Sequence, residues 1–209
     1  MEMNKKCYIF GAGEYPESIG EIQTDSFVIA CDGGYKIFER IQKEPDLIIG
    51  DFDSLKYIPS DGDNVVAFPK EKDDTDMALA VREGICNGCD EFYMYGTLGG
   101  KISHSYANIQ LLAKMTELGV KGFLIGKDTV ISAVRNSSVF FPSDSVGRIS
   151  VFSFTDKSYG VSIKGLKYNV SDITLFNNCA LGVSNEFTGE KAEISVKKGL
   201  LIIITEKGV

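Results

Sequence analysis

The sequence predicts an α/β protein in two parts. Helices alternate with strands of a mostly parallel sheet over residues 1–130, and an all-β part follows over 131–209. Three observations predict it. Short apolar runs alternate with helix-period stretches as far as about Asp128, and those runs are continuous rather than alternating. Beyond Asp128 the segments turn short and β-branched or aromatic, with no clean helical period. Strands interleaved with helices imply βαβ units, and continuous apolar strands imply a sheet covered on both faces. The later pattern implies an antiparallel sandwich or small barrel.

In chain order, the strands of the first part are expected at Cys7–Phe10, Phe27–Cys31, Leu47–Gly50, Val65–Phe68, Glu91–Tyr95 and Gly122–Ile125. Helical stretches are expected at Tyr35–Ile41, Thr75–Ile85 and Ser105–Leu118. In the last, Ile109, Leu112 and Met115 recur at helical spacing, and Leu111 and Leu118 widen the stripe. In the second part the strands are expected at Val139–Pro142, Arg148–Phe154, Gly160–Ile163, Lys191–Val196 and Leu200–Thr205.

Composition narrows the function classes. With 209 residues, 44% hydrophobic and 24% charged, the chain has the apolar surface a disordered chain lacks. A net charge of −7 argues against nucleic acid, whose phosphates attract basic faces. No apolar run reaches the ~18 residues of a spanning helix, so no membrane partner is expected. The first ten residues carry no signal-peptide pattern, so the expected location is the cytoplasm. Five Cys, an odd count, then fit reduced thiols. The Cys86–Cys89 CxxC stands alone, without the further ligands a zinc site needs.

The acidic residues are not evenly spread. Nine of the 15 Asp fall between Asp32 and Asp76, where an even spread would place about three. Crowded carboxylates repel and call for a counter-ion. The sharpest local signal is Gly50-Asp51-Phe52-Asp53-Ser54 directly after a strand, because ligands of open α/β sheets bind outside strand carboxyl ends. Two Asp one residue apart can both reach a hard cation such as Mg²⁺. A second acidic group, Lys72-Asp73-Asp74-Thr75-Asp76, opens a helix; any one Asp there could be a cap, but three in four positions exceed capping needs. Asp73 and Asp76 share a face, and Asp76 can point back to a metal held by Asp51 and Asp53. Asp32-Gly33-Gly34 ends another strand. Two glycine-rich turns miss known fingerprints. GAGEYP at Gly11 has Pro16 where a dinucleotide motif needs glycine, and the turn around Gly99 fails the P-loop pattern at Tyr95 and Ile102. The second still lies between strand and helix, where anions are favoured, and Lys101 and His104 follow it.

Taken in order, Asp32-Gly33-Gly34, Pro45-Asp46 through GDFDS, KDDTD, GTLGGK with His104, Ala107 and Asn108, and Gly182 through Phe187 resemble the thiamine pyrophosphokinase family. The set spans most of the chain. The resemblance implies a Rossmann-like three-layer ATP-binding domain over 1–130 and a C-terminal β-sandwich thiamine-binding domain over 131–209. It implies Mg²⁺, ATP as co-substrate and a homodimer holding thiamine between subunits. It implies that pyrophosphate passes from ATP to the thiamine hydroxyl, giving thiamine diphosphate and AMP. By the same resemblance Asp51, Asp53 and Asp76 are metal ligands, and Lys72 and Asp73 line the acidic pocket, with Asp73 a candidate proton acceptor. Asp32, Gly33, Gly34, Gly99, Gly100, Lys101 and His104 lie on the nucleotide side, and Ser103, Ser184 and Asn185 on the thiamine side. One departure stands out: where the family usually carries Arg-x-Asp-His, this chain carries Lys101-Ile102-Ser103-His104. Lys lacks the bidentate fork of Arg, and Ser103 removes a carboxylate.

Two rival readings follow from particular residues. DFDSL resembles the nucleophile motif of haloacid dehalogenase-like phosphatases, which would release phosphate rather than AMP. Ser103 motivates a thiamine- or nucleotide-binding sensor that no longer catalyses.

Overall fold

The computed structural model describes residues 5–41, 44–52, 64–68 and 73–207. The chain divides into two compact units, Met1–Leu111 with Gly119–Lys127, and Leu112–Leu118 with Asp128–Val209.

The first unit is built on six parallel strands: β1 (Lys5–Phe10), β2 (Phe27–Cys31), β3 (Leu47–Gly50), β4 (Val65–Ala67), β5 (Cys89–Tyr95) and β6 (Lys121–Ile125). Their order across the sheet is β6-β5-β1-β2-β3-β4. The chain runs outward from β1 to β4, then returns to the other side of β1 with β5. The order therefore reverses between β1 and β5, the place where open α/β sheets bind ligands. β1 is buried from Cys7 to Phe10 without alternation, as a strand covered on both faces must be. On one face Phe10 stacks with Tyr95 at 5.1 Å and meets Phe38 edge-on at 5.0 Å, and Tyr8 stacks with Tyr93. Phe38 belongs to α1 (Lys36–Ile41), which follows a 3₁₀ turn at Asp32–Tyr35. α2 (Asp76–Cys86) and α3 (Ile102–Glu117) complete the helices among the described residues. No helix there is long and apolar enough to cross a membrane.

The second unit holds two antiparallel sheets. One is β12 (Asn185–Glu186), β9 (Arg148–Ser153), β14 (Leu200–Glu206) and β7 (Thr129–Arg135); the other is β11 (Val170–Phe176), β10 (Lys157–Lys164), β13 (Ala192–Ser195) and β8 (Ser138–Phe141). Ile149, Val151, Leu201 and Ile203 of the first share one core with Val161, Ile163 and Ile194 of the second.

Several expectations need correction. The stripe of α3 does not reach Leu118: the helix ends at Glu117, and Leu118 is 57% exposed. The capping alternative for the Asp of this stretch falls away: the N-cap of α2 is Thr75, whose hydroxyl accepts from the Ala78 N–H at 3.2 Å. The segment Asp32–Tyr35 is a 3₁₀ turn, so only Lys36–Ile41 of the expected first helix is α-helical. β7 and β11 were not foreseen. β7 straddles the change of pattern, and β11 carries Ser171 and Asp172 at an irregular register with β10, where Asp172 has a φ of 55°.

Candidate active site

In a parallel sheet every strand delivers its carboxyl end to one rim, and the polar turns found in the sequence gather there. β2 ends into Asp32-Gly33-Gly34. Gly34 lies so close to β1 that a Cβ would sit 1.9 Å from the Phe10 carbonyl oxygen, so no other residue fits. β3, the neighbour of β2, ends at Gly50. A Cβ there would sit 3.0 Å from Asp32 Cα, and this bare backbone lets Asp32 lie beside the start of Asp51. Phe52 then turns into the core, 5% exposed, at a φ of 57°. Asp32 also has a positive φ, 43°. Such backbone costs roughly 1–3 kcal/mol per residue and persists where surroundings dictate it. Two instances on adjacent strand ends mark this corner as a built feature.

The entrance of α2 joins the same corner. The Cys31 thiol at the end of β2 donates to the Asp76 carbonyl at 3.8 Å. The Asp76 side chain is half-buried, whereas Asp73, one turn earlier, is exposed. At the switch point the loops after β1 and β5 lock together: Gly11 N–H donates to Tyr95 O at 2.8 Å, Gly13 N–H to Gly96 O at 2.8 Å, and Glu14 N–H to Leu98 O at 2.9 Å. Buried Asn108 of α3 donates to Thr97 O at 2.8 Å and so fixes the turn that leads to Gly99 and Gly100. Lys101, Ser103 and His104 follow, all exposed, at the start of α3.

Asp53 and Lys72 lie outside the described residues. Among the described residues, no group of three or more His, Cys, Asp or Glu is close enough to hold a metal ion. One observation nevertheless fits a cation at this corner. Asp32 Oδ1 is buried and, among the described residues, has no hydrogen-bond partner. A buried carboxylate oxygen without a donor is costly, and carboxylates are the donors a hard divalent cation takes.

Sequence reasoning missed a cleft of about 740 Å³ beside this rim, between the loop after β1 and the Gly33–Arg40 segment. Gly11, Gly33 and Gly34 form part of its lining, together with Tyr15, Ile19 and Ile37. Lys36 and Arg40 also line it. Their four-residue spacing directly after Gly33-Gly34 was the signal available. Tyr15 is fixed by its hydroxyl, which donates to Gly11 O at 2.5 Å, and by stacking against Phe10. Burial raises its pKa, so the phenol stays neutral.

The second unit places Ser184 and Asn185 differently. Ser184 is exposed, at a φ of 58°, with its N–H donating to Ser150 Oγ at 3.1 Å. Asn185 is 5% exposed. Its Oδ1 accepts from Tyr168 N–H and Glu186 N–H, each at 2.9 Å, and its Nδ2 donates to Tyr168 O at 2.7 Å. Most of its hydrogen-bonding capacity is spent on backbone.

The first unit thus defines the class: an α/β protein with acidic and glycine-bearing turns gathered at the carboxyl rim of a parallel sheet. A model of the thiamin pyrophosphokinase catalytic domain matches residues 20–124, and a model of the vitamin B1 binding domain of thiamin pyrophosphokinase matches residues 142–201. The chain belongs to the thiamin pyrophosphokinase family. The thiamine pyrophosphokinase of Bacillus subtilis (strain 168) is 29% identical over 161 residues, 74% of this chain and 75% of that protein. The crystal structure of a Bacillus subtilis thiamine pyrophosphokinase superposes with a TM-score of 0.88 at 25% identity, covering 98% of this chain and 100% of the other. The Candida albicans thiamin pyrophosphokinase shares the fold, with a TM-score of 0.77 at 18% identity over 97% and 89% of the two chains.

Proposed function

We infer that this chain is a thiamine pyrophosphokinase, moving pyrophosphate from ATP to the thiamine hydroxyl to give thiamine diphosphate and AMP. The ordered match of catalytic and vitamin B1 binding domains supports the reading most strongly. The finer architecture proposed is a Rossmann-like three-layer domain and a β-sandwich, with ATP on the first and thiamine on the second. The domain limits proposed are 1–130 and 131–209.

Such a transfer needs little covalent help from protein. It needs in-line positioning and neutralised charge. Asp51, Asp53 and Asp76 are the proposed ligands of Mg²⁺, a reading supported by the buried Asp32 oxygen next to Gly50, which has no hydrogen-bond partner among the described residues. Mg²⁺, when bound, supplies charge neutralisation for the phosphates of ATP. Asp32, Gly33 and Gly34 border the nucleotide, as do Gly99, Gly100, Lys101 and His104 across the rim. Lys72 and Asp73 complete the acidic pocket. The thiamine hydroxyl attacks the β-phosphorus, its proton passes to a carboxylate such as Asp73, and AMP leaves. Ser184 and Ser103 contact thiamine. Asn185, tied to the Tyr168 backbone, holds the turn that presents Ser184. The working unit proposed is a cytoplasmic homodimer.

The test is an assay of the full chain with ATP, Mg²⁺ and thiamine. AMP and thiamine diphosphate in equal amounts are expected. Phosphate released without AMP would replace this reading with the phosphatase one, and tight binding without any product would replace it with the sensor.

A further inference from the structure

The cleft beside the rim combines features that match one kind of ligand. Tyr15, Ile19 and Ile37 give it an apolar wall, and Gly33 and Gly34 bring bare backbone to its edge. Lys36 and Arg40 stand one turn apart on the same face of α1 and line it. Both are exposed, and among the described residues neither makes an ion pair. Among the described residues, Glu17 is the one carboxylate in the lining, against these two cations. Within the described lining two cations thus face one carboxylate, in a chain of net charge −7; Glu39, on the same helix, is not part of the lining. The cleft's volume lies in the ~300–1,000 Å³ range of small-molecule sites.

A ligand that fits has a flat apolar part and an anionic part. The Tyr15 ring is already fixed by its hydroxyl and by Phe10, so it offers a flat, preorganised surface. The carboxylates of the rim repel a polyphosphate at long range, and Lys36 and Arg40 oppose that repulsion in the cleft. We propose that Lys36 and Arg40 are nucleotide-affinity residues, which hold the phosphates of ATP while its base and ribose lie against Tyr15, Ile19 and Ile37. The proposal rests on the pyrophosphokinase reading and adds to it the side chains that set affinity for the nucleotide. Lys36 and Arg40 act on binding. The phosphoryl chemistry stays with the carboxylates of the rim.

Equilibrium dialysis of the full chain with ATP and with adenosine, at low and high salt, tests it. Charge-assisted hydrogen bonds of exposed side chains to phosphate set the scale. In the double variant Lys36→Met, Arg40→Gln the ATP dissociation constant is expected to rise about 10- to 100-fold, and its dependence on salt to flatten. Adenosine should bind wild type and double variant alike, because it carries no phosphate. Lys36→Arg should keep ATP affinity. The control pair Lys164→Met, Lys197→Met removes equal charge from the second unit and should leave ATP affinity within about twofold. In steady-state assays the double variant should raise KM for ATP and not KM for thiamine.

Unchanged ATP affinity and salt slope in the double variant would overturn the proposal, as would an equal loss of adenosine binding. An effect of the control pair as large as that of the double variant would overturn it too, since net charge alone would then be at work. Failure of the functional reading is distinct: wild type would bind ATP and yield no AMP, while the dialysis comparison still decides the role of the two cations. Wild type that binds no ATP at all overturns both.

Discussion

The two units use loops in opposite ways. In the parallel unit, β1, β2, β3 and β5 all end on one rim, so Gly11, Asp32, Asp51 and Gly96 converge although up to 85 residues separate them. In the antiparallel unit, neighbouring strands end on opposite rims, and a polar turn meets whatever its own strand happens to face. Asp51 therefore starts beside Asp32, whose buried Oδ1 has no hydrogen-bond partner among the described residues, whereas Asn185 is consumed by the backbone of Tyr168. A polar residue after a parallel strand is placed by the fold class alone, but one after an antiparallel strand is placed only by its actual partners.

The largest expected effect tests the parallel side. Asp51→Asn keeps shape and removes charge. If the rim carries the metal-assisted chemistry, turnover to AMP should fall at least ~100-fold, equivalent to about 2.7 kcal/mol in the barrier. The far-UV circular dichroism should be unchanged. Wild-type turnover in this variant at saturating Mg²⁺ would remove Asp51 from the site.

Next comes the antiparallel side. Asn185→Ala strips two backbone donors and one acceptor of their partner, which should cost about 1–3 kcal/mol of stability in urea unfolding. Ser184→Ala should cost under about 0.5 kcal/mol, as an exposed hydroxyl away from the core. Thiamine affinity separates their roles further: Ser184→Ala weakens it in a protein of normal stability, while Asn185→Ala weakens it together with stability. A stable Asn185→Ala protein with lost thiamine binding would reverse the assignment.

That contrast also explains how much was legible in the sequence. Continuous apolar runs announced β1, β2 and β3, since a strand buried on both faces admits few polar residues. β11 stayed hidden because it is half-exposed, carries Asp172 at positive φ, and pairs irregularly with β10. The acidic rim was readable because charge crowding shows in one dimension. The cleft was not, for it needs the loop after β1 folded back toward α1, a contact between residues some 20 positions apart with no shared motif. The buried commitment of Asn185 was equally invisible, because its partner Tyr168 is 17 positions away.

A smaller separation between the units is expected at alkaline pH. In the parallel unit burial holds the pKa values of Tyr15, Tyr93 and Tyr95 above the ordinary tyrosine value of 10.0. Tyr93 also donates to Glu91 Oε1 at 2.5 Å, which adds to its shift. Unfolded, these phenols lose their protons near pH 10; folded, they keep them. The unfolded state then binds fewer protons, so stability is complete below pH 10 and falls as pH rises beyond it. The tyrosines of the other unit that are exposed, Tyr159 and Tyr168, are 45% and 60% accessible. Amide exchange should show the parallel unit losing protection at a lower pH than the antiparallel one. Simultaneous loss in both would mean that these tyrosines do not govern the transition.

The smallest effect concerns the departure at the start of α3. Ser103 is exposed there, two residues after Lys101, where the resemblance leads one to expect a carboxylate and an arginine. A serine can give or accept a hydrogen bond but carries no charge. A hydrogen bond to a charged group is worth about 1.5–3 kcal/mol, and a neutral one about 0.5–1.5. The difference of about 1–2 kcal/mol corresponds to roughly 5- to 30-fold in affinity or rate. Ser103→Asp with Lys101→Arg should therefore lower KM for thiamine or raise turnover by no more than that factor. The new carboxylate also falls in the first turn of α3, where it should add ~0.3–1 kcal/mol of helix stability. The two readouts are separable: a stability gain without any change in thiamine kinetics would show that position 103 serves only the helix. Wild-type protein that binds thiamine and ATP yet makes no AMP, with activity appearing only in the double variant, would mean that the departure had switched the enzyme off. The carboxylates of the rim, which the double variant leaves untouched, predict instead that wild type is already active.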